Sequence, residues 1–466
     1  MKISFHGAAR TVTGSKHLVQ LASGENFLLD CGLFQGLGRD TDAYNTNFGF
    51  DAKTIDYVIL SHAHIDHTGL LPKLAAEGFR GKIYCTPATK ALTEILLEDS
   101  AMIQRDDAKF KNKRLAREGM PQVEPLYTMD DVNLLLPMLQ TVEYDKPYTI
   151  SENVEVLFTE AGHIIGSAAV NLKIKENNKI QTLTFSGDIG RYRDMILRSP
   201  AKFPPADYIL IESTYGDKLH DLIHSTPDDL LKWIQLTCIE QKGNLIIPAF
   251  SVGRTQAVLF TLKKLFNEGK LPPIRVFADS PLALASSNIH NKFSHYLNDE
   301  AQLYKKEEGS LFDFKSLHIV EDKDDLEDME LYREACIIVS SAGMLEGGRI
   351  QQHIGDHVQN PMCSIMIAGF CSPGTLGAQL LEGKSIIRIK GHDKYVYAKI
   401  GQTDVFSAHP DIVGLTDYFV KSDNSELQKV FFVHGEEAAM YDLKETLDPE
   451  FQGKVIIPSR GEEWTL

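Results

Sequence analysis

The densest group of chemically active side chains in this sequence lies in residues 61–67. Three histidines and an aspartate stand together there: His62, His64, Asp66 and His67. Imidazole nitrogens and carboxylate oxygens suit zinc, with manganese as an alternative, because no thiolate belongs to the group. The apolar run Tyr57–Leu60 directly precedes it and predicts a strand. The pattern therefore indicates a metal site in a loop at the end of a strand.

Three further side chains that could bind a metal ion follow apolar runs elsewhere in the chain. They are His163, Asp188 and His434, and each stands next to a glycine. Glycine permits the sharp turns and close backbone approaches that occur at strand ends. Any one of these residues alone would more often be structural than a ligand. Residues 61–67 supply too few side chains to surround two metal ions, so further ligands must come from elsewhere in the chain. We expect all three residues to converge on residues 61–67.

The elements that must position these residues follow from the apolar pattern. Short strands separated by glycine turns are predicted in the first 60 residues, followed by helices from Leu70 to about Arg117. Strands return over Val154–Phe185. From about Pro227 strands and helices alternate, which predicts a parallel sheet flanked by helices. Strand patterns resume near Lys384, and the last predicted strand is Lys454–Ile457.

Length and charge limit the functional classes. A chain of 466 residues exceeds the size at which one core keeps growing, so two domains are expected. The net charge of −16 argues mildly against a nucleic-acid partner, because phosphate binding normally needs a basic surface. A basic run at Lys109–Arg117 is interpreted as a solvent-exposed helix face.

Cysteine spacing and hydropathy predict the compartment. The six cysteines form no CxxC pair, which indicates reduced, buried thiols rather than disulfides. No apolar run reaches the roughly 18 residues that a membrane span needs. The segment Met1–Phe5 becomes polar too soon for a signal peptide. We therefore expect a cytoplasmic protein without a membrane partner.

Ordered motifs run through essentially the whole chain: Gly7–Ser15, Leu29–Gly36, the histidine cluster, Ile211–Asp217, Ile247–Arg254, Asp279–Ala283, Ser340–Leu345, Gly374–Gly377, Phe406–His409 and Val433–Glu436. Together they resemble the β-CASP branch of the metallo-β-lactamase superfamily. The resemblance is strongest to the pre-mRNA 3′-end endonuclease and its short bacterial and archaeal relatives. It implies an α/β protein, in which an αββα metallo-β-lactamase sandwich (1–213 and 391–466) carries an inserted β-CASP domain (214–390).

The resemblance also implies which residues bind metal. One ion would be held by His62, His64 and His163, the other by Asp66, His67 and His434, and Asp188 would bridge them. Two zinc ions per chain are implied, with manganese as the alternative. Asp30 matches a carboxylate that orients the ligands, and such partners fix the tautomer and direction of an imidazole ring.

The activity implied by the resemblance is hydrolysis of RNA phosphodiester bonds by a metal-activated hydroxide. Asp66, His409 and Glu212 would be catalytic, with His409 as the general acid and Glu212 holding its ring. Contacts to RNA phosphates are assigned to Ser213, Arg254, Ser340, Ser341 and Gly343. The expected substrate is single-stranded RNA.

Three alternatives stay open at this stage: a DNA-directed nuclease of the same branch, a small-molecule metallo-hydrolase and a non-catalytic scaffold. DNA-specific relatives tend to lack a histidine at the position of His434. A small-molecule hydrolase does not require the inserted domain with Glu212 and His409, and a scaffold would have lost ligands. Endonucleolytic or exonucleolytic mode and a homodimeric state are not decided by the sequence.

Overall fold

The computed structural model of the protein describes residues 1–38, 40–177, 179–220, 226–369, 371 and 374–466. Contacts within the chain divide it into two units. The first contains Met1–Tyr192, Arg198–Leu219 and His409–Leu466, and the second contains Arg193–Leu197 and His220–Ala408. The domain boundaries expected after residues 213 and 390 stay a prediction.

Short strands and helices alternate along the chain. The strands before residue 213 are β1 (Lys2–Phe5), β2 (His17–Gln20), β3 (Asn26–Leu29), β4 (Tyr57–Ile59), β5 (Lys82–Cys85), β6 (Leu139–Thr141), β7 (Tyr148–Thr149), β8 (Val154–Glu160), β9 (Ala168–Glu176), β10 (Lys179–Phe185) and β11 (Tyr208–Glu212). The later strands are β12 (Leu245–Pro248), β13 (Arg275–Asp279), β14 (Leu317–Ile319), β15 (Cys336–Ser340), β16 (Ser364–Ala368), β17 (Ile386–Ile389), β18 (His392–Tyr395), β19 (Lys399–Thr403), β20 (Lys429–Val433), β21 (Val455–Ile456) and β22 (Glu463–Thr465).

The helices are α1 (Asp40–Thr46), α2 (Ile65–Thr68), α3 (Leu71–Ala76), α4 (Pro87–Glu118), α5 (Met129–Leu135), α6 (Thr226–Ile234), α7 (Arg254–Asn267), α8 (Pro281–Lys292), α9 (Asp299–Glu308), α10 (Lys323–Leu331), α11 (Ile350–His357), α12 (Leu376–Leu381), α13 (Ile412–Lys421), α14 (Glu437–Thr446) and α15 (Pro449–Gln452). The longest of these, α4, begins after Thr86, whose side chain accepts from Thr89 N, and ends before Gly119 in the left-handed conformation. Its basic residues Lys109, Lys111 and Lys113 are exposed, as predicted.

Two sheets form the first unit. One has the order β22-β1-β2-β3-β4-β5-β6, antiparallel from β22 to β3 and parallel from β3 to β6. The other has the order β21-β20-β11-β10-β9-β8-β7. Their facing sides share one buried apolar core, which includes Phe5, Phe27, Val170, Leu210 and Phe431. Burial of this apolar surface holds the sheets face to face.

Helices cover the outer side of each sheet in the first unit. Leu74 of α3 and Leu97 of α4 pack with Val58 of β4 in one apolar cluster. On the other sheet, Phe419 of α13 and Met440 of α14 belong to a cluster with residues of β11 and β20. The layers therefore follow the order αββα, which confirms the expected metallo-β-lactamase architecture.

The second unit is built on a parallel sheet with the order β14-β13-β15-β12-β16-β19. Helices α6 and α7 contribute to the core on one face, and α11 and α12 contribute to a core on the other. The predicted parallel sheet flanked by helices is confirmed. A separate antiparallel pair, β17 and β18, lies outside this sheet.

The cysteines are unpaired thiols, as their spacing predicted. The six cysteines are buried and free. Burial raises the pKa of Cys31 to about 12, so this thiol stays protonated. Within the described ranges, no helix combines the length and apolarity that crossing a bilayer requires.

The core between the two sheets of the first unit should tolerate little loss of volume. Phe431 is fully buried there, 5.2 Å from the Phe5 ring and 5.9 Å from the Trp464 ring, between centroids. We expect Phe431→Ala to lower the free energy of unfolding of the first unit by about 3–5 kcal/mol. Urea unfolding followed by Trp464 fluorescence, in a Trp233→Phe background, measures this.

The control for this substitution is Val413→Ala on α13, where the side chain is 55% exposed. It should change the free energy of unfolding by less than about 0.5 kcal/mol. A loss below about 1 kcal/mol for Phe431→Ala would contradict a closely packed core between the sheets.

Candidate metal centre

The turn that follows β4 is held by backbone hydrogen bonds to two neighbouring segments. Ser15 N donates to the Asp66 carbonyl at 2.7 Å, and Cys31 N donates to the His67 carbonyl at 2.8 Å. A Cβ atom at Gly32 would lie only 1.6 Å from the Asp66 carbonyl oxygen, so only glycine fits there. These contacts fix the backbone from which the clustered histidines project.

A buried lysine supports the same turn from behind. Lys16 Nζ donates to the carbonyls of Gly14 at 3.2 Å and Gly32 at 2.9 Å, and it lies 4.2 Å from the Phe34 ring centroid. Burial lowers the pKa of Lys16 to about 7. Lys16 therefore joins the two segments that hold the turn. Sequence reasoning missed it, because a lysine beside a strand is normally interpreted as exposed.

His163 lies in a loop after β8 that two glycines shape. Gly162 and Gly166 have φ angles of 72° and 91°. A Cβ atom at Gly162 would lie 2.5 Å from the Arg198 carbonyl oxygen, and one at Gly166 would lie 2.6 Å from Thr89 N. Both positions thus require glycine for conformation and for space.

Asp188 and His434 follow β10 and β20. Before Asp188, Gly187 has a φ of 54°, and a Cβ atom there would lie 2.4 Å from Ser61 Cβ. His434 itself has a φ of 49°, which is uncommon for a residue other than glycine. Its backbone N–H donates to the Ala8 carbonyl at 2.7 Å, which holds this conformation.

The four residues His62, His64, His163 and Asp188 form the first cluster, whose potential ligand atoms all lie within 4.8 Å of one another. His64 Nδ1 lies 3.2 Å from the Nε2 atoms of His62 and His163. Asp188 Oδ2 lies 3.6 Å from each of those two Nε2 atoms. Ligands about 2.0–2.1 Å from a tetrahedral ion are about 3.3–3.4 Å apart, so these spacings fit one ion.

The second cluster contains Asp66, His67 and His434. His434 Nε2 lies 3.3 Å from Asp66 Oδ2 and 3.4 Å from His67 Nε2. Asp188 Oδ1 lies 3.4 Å from His67 Nε2, while its Oδ2 faces the first cluster. All seven residues that the resemblance assigned to metal binding therefore meet, with Asp188 between the two clusters.

The charge states of the first cluster match those of metal ligands. Burial lowers the pKa of His62 and His163 well below the usual value and that of His64 to about 4, which leaves their imidazoles neutral. Burial would raise the pKa of Asp188, but the neighbouring histidines outweigh it and hold that pKa well below its usual value. Neutral imidazole and ionised carboxylate are the forms that bind metal, so the first cluster fits an ion. In the second cluster, burial would lower the pKa of His67, but the surrounding aspartates outweigh it and raise that pKa well above its usual value, so an ion there would have to displace a proton from His67.

Asp30 orients His67 from outside the cluster, as the resemblance implied. His67 Nδ1 donates to Asp30 Oδ2 at 2.6 Å, which leaves Nε2 of the ring facing the cluster. Asp30 also accepts from the backbone N and the Oγ of Ser61, both at 2.8 Å. Ser61 Oγ lies 3.1 Å from His62 Nδ1 as well. Sequence reasoning gave Ser61 no role, although its place directly before His62 was a usable signal.

A buried carboxylate holds His409 beside the clusters. His409 Nδ1 donates to Glu212 Oε2 at 2.9 Å, and Thr214 Oγ1 donates to the same oxygen at 2.5 Å. The backbone N of Ile189 donates to Glu212 Oε1. Both carboxylate oxygens thus accept hydrogen bonds, so Glu212 is suited to orient His409 rather than to bind metal.

The His409 ring lies close to ligands of both clusters. Its centroid is 4.5 Å from that of His163 and 6.0 Å from that of His434. Burial would lower the pKa of His409, but the Glu212 carboxylate outweighs it and raises the pKa. Thr214 Oγ1 lies 3.2 Å from His434 Nδ1, so Thr214 connects His434 to the Glu212 carboxylate that holds His409. Thr214 was missed as a functional residue, although it belongs to the motif that contains Glu212.

The residues expected to contact RNA are divided between the units. In the first unit, Ser213 is buried and its Oγ donates to the Val433 carbonyl at 2.8 Å, so this hydroxyl supports β20 instead of facing a ligand. In the second unit, Arg254 is partly buried, with its guanidinium carbon 4.8 Å from the Phe250 ring centroid. A Cβ atom at Gly343 would lie 2.9 Å from the same ring.

The two remaining serines of this set follow β15 in the second unit. Ser340 is buried and its Oγ donates to the Asp279 carbonyl at 3.0 Å. Ser341 is partly buried and its Oγ donates to Ser280 Oγ at 3.0 Å. A phosphate contact from Ser340 would therefore have to use its backbone, and the roles of both serines stay predictions.

Comparison with known protein families gives three matches along the chain. Residues 15–236 match the metallo-beta-lactamase superfamily, and residues 255–380 match the Beta-Casp domain. Residues 395–458 match a domain described as a Zn-dependent metallo-hydrolase RNA specificity domain. These matches cover the segments that carry the clusters and both units of the structure.

Curated proteins of similar sequence match over nearly the whole of this chain. Ribonuclease TTHA0252 of Thermus thermophilus is 33% identical, over 100% of this chain and 98% of that protein. An RNase J-like protein of Methanocaldococcus jannaschii is 28% identical, over 98% of both chains. Integrator complex subunit 11 of Danio rerio is 27% identical, over 100% of this chain and 74% of that protein.

The contact between Asp30 and His67 should contribute to metal affinity. Asp30→Asn keeps the shape of the side chain but removes the charge that fixes the His67 ring. We expect a metal affinity about 10–100-fold lower, measured by competition with a chelator. The control is Asp442→Asn on α14, where the carboxylate is exposed. Equal affinities for the Asp30→Asn protein and the wild type would contradict the orienting role.

Proposed function

Because the chain belongs to the β-CASP branch of the metallo-β-lactamase superfamily, we propose that it is a ribonuclease that hydrolyses phosphodiester bonds of single-stranded RNA. Family membership, shown by the full-length relative and the three family matches, makes the protein a metal-dependent hydrolase. The observation that carries the proposal is the meeting of two ligand clusters beside the His409–Glu212 pair.

We propose two metal sites that share one carboxylate. The proposed ligands are His62, His64 and His163 for one ion, Asp66, His67 and His434 for the other, and Asp188 for both. The imidazole and carboxylate donors support zinc, with manganese as the alternative. When bound, such ions lower the pKa of a water molecule and stabilise charge on phosphoryl oxygens.

His409 is the proposed general acid. Since Nδ1 donates to Glu212, the remaining proton of the charged ring stands on Nε2 and can pass to the leaving oxygen of the RNA. The raised pKa of His409 supports this role, because the acid must be protonated before the bond breaks. Glu212 keeps the ring in this orientation through hydrogen bonds that also hold Thr214 and Ile189.

We further propose that Arg254 and the turn containing Ser341 and Gly343 hold an RNA phosphate. The planar guanidinium of Arg254 is supported by the Phe250 ring, and such a group binds phosphate through paired hydrogen bonds. Backbone N–H groups of the turn would supply the other donors. The cytoplasmic location stays a prediction.

The test of the proposed function is cleavage of end-labelled single-stranded RNA by the metal-loaded protein. Asp66→Ala should reduce the rate at least about 100-fold, because it removes a proposed ligand directly. Asp442→Ala, an exposed position on α14, serves as the control and should cleave like the wild type. Equal rates for the wild type and Asp66→Ala would falsify the proposal. Labels at each end distinguish endonucleolytic from exonucleolytic cleavage.

Matched single-stranded DNA and a chromogenic β-lactam test the alternative substrates in the same assay. We expect RNA to be hydrolysed faster than either. Preferred cleavage of DNA would favour the DNA-directed nuclease, and preferred hydrolysis of the lactam would favour a small-molecule hydrolase.

The acid role of His409 separates from metal binding in a second experiment. His409→Ala should slow RNA cleavage about 10²–10⁴-fold, since a general acid contributes this much. Hydrolysis of bis(p-nitrophenyl) phosphate, whose leaving group needs no proton, should fall far less. Metal content should stay at the wild-type level. If both substrates slow equally, His409 is not the acid.

A further inference from the structure

The hairpin formed by β17 and β18 presents one face to the core of the second unit and the other to solvent. Its strands pair from Ile386–Tyr395 to Ile389–His392 and are joined by Lys390 and Gly391, with φ angles of 48° and 85°. Positive φ at both positions is typical of a tight two-residue hairpin turn. Ile387 and Ile389 are buried in an apolar cluster of the second unit, so the hairpin is anchored.

The outward face carries a cluster of large exposed side chains. Tyr395 and Tyr397 are 54% and 57% exposed, and Ile386, the strand partner of Tyr395, is 47% exposed. The two tyrosine rings are parallel within 5°, and their centroids lie 5.9 Å apart. Single exposed aromatic residues are common on protein surfaces, whereas a contiguous apolar cluster more often marks a binding surface.

The charge of this segment is opposite to that of the whole chain. Residues 384–399 contain five basic residues, Lys384, Arg388, Lys390, Lys394 and Lys399, and one acidic residue, Asp393. The difference of five and one gives a net charge of +4, in a chain of net charge −16. A local positive field next to exposed aromatic rings complements a polyanion that has accessible bases.

We propose that this face, defined by Ile386, Arg388, Tyr395 and Tyr397 together with Lys390 in the adjoining turn, binds single-stranded RNA. Bases would stack on the tyrosine rings, and the basic side chains would contact phosphates. The choice of RNA rests on the proposed function. A second copy of the chain is disfavoured as the occupant, because a twofold contact would bring the same basic groups against each other.

Binding is measured apart from cleavage. Fluorescence anisotropy of a labelled single-stranded RNA is recorded with the full-length, metal-loaded protein in the His409→Ala background, where cleavage is slow. The double variant Tyr395→Ser/Tyr397→Ser should bind about tenfold or more weakly, since stacking of one base is worth about 1–3 kcal/mol. Tyr395→Phe/Tyr397→Phe keeps the rings and should bind like its parent.

Two controls separate stacking from general effects. Tyr441→Ser on α14, where the side chain is 47% exposed, removes a comparable tyrosine elsewhere and should not change affinity. Arg388→Gln/Lys390→Gln should reduce the slope of log affinity against log salt by about 1.4, if each basic side chain neutralises one phosphate. The serine double variant should keep the slope of its parent while losing affinity at every salt concentration.

Unchanged RNA affinity in the serine double variant overturns this proposal. It is also overturned if that variant converts a dimer into a monomer in sedimentation without changing RNA affinity, because the face is then an interface between copies. These outcomes leave the proposed function intact when the wild-type protein cleaves RNA. Failure of the wild type to cleave RNA refutes the proposed function instead, whatever the tyrosine variants do.

Discussion

The structure depends on bringing polar side chains from several strand ends into one buried place. β4, β10 and β20 each end just before residues of the two clusters, and β8 ends before His163. β8 and β10 are both antiparallel to β9, so they run in the same direction, and β10, β11 and β20 are parallel. The carboxyl ends of β8, β10, β11 and β20 therefore lie along the same edge of their sheet. Burying so many polar groups without partners would be unfavourable, and bound cations would remove that penalty.

Backbone freedom at a few positions makes this convergence possible. Gly32, Gly162 and Gly187 each stand where a Cβ atom would collide with a neighbouring segment. The apolar core between the sheets fixes the strands, while these glycines let the loops at their ends approach within hydrogen-bonding distance. Lys16 adds a buried amine that donates to carbonyl groups behind the turn. Geometry at the clusters thus depends on residues that would never contact a substrate.

The sequence allowed much of this arrangement to be predicted, for identifiable reasons. Ligand types that are adjacent in the chain, as at His62 and His64, indicate chemistry directly, and strand periodicity predicted most elements of both units. β22 was not predicted, because it has only three residues and becomes a strand by pairing with β1. Lys16 and Thr214 were missed, because their roles depend on contacts between distant segments. Ser213 was expected near RNA, but its burial depends on how β20 packs.

Metal content per chain tests the central claim most directly. Elemental analysis of the purified protein, after equilibration with zinc and removal of free metal, should give about two ions per wild-type chain. His163→Ala should retain one ion, and Asp188→Ala should lose affinity at both sites. A wild-type protein that binds no divalent ion, or an Asp188→Ala protein that keeps both with unchanged affinity, would contradict a pair of ions joined by one carboxylate.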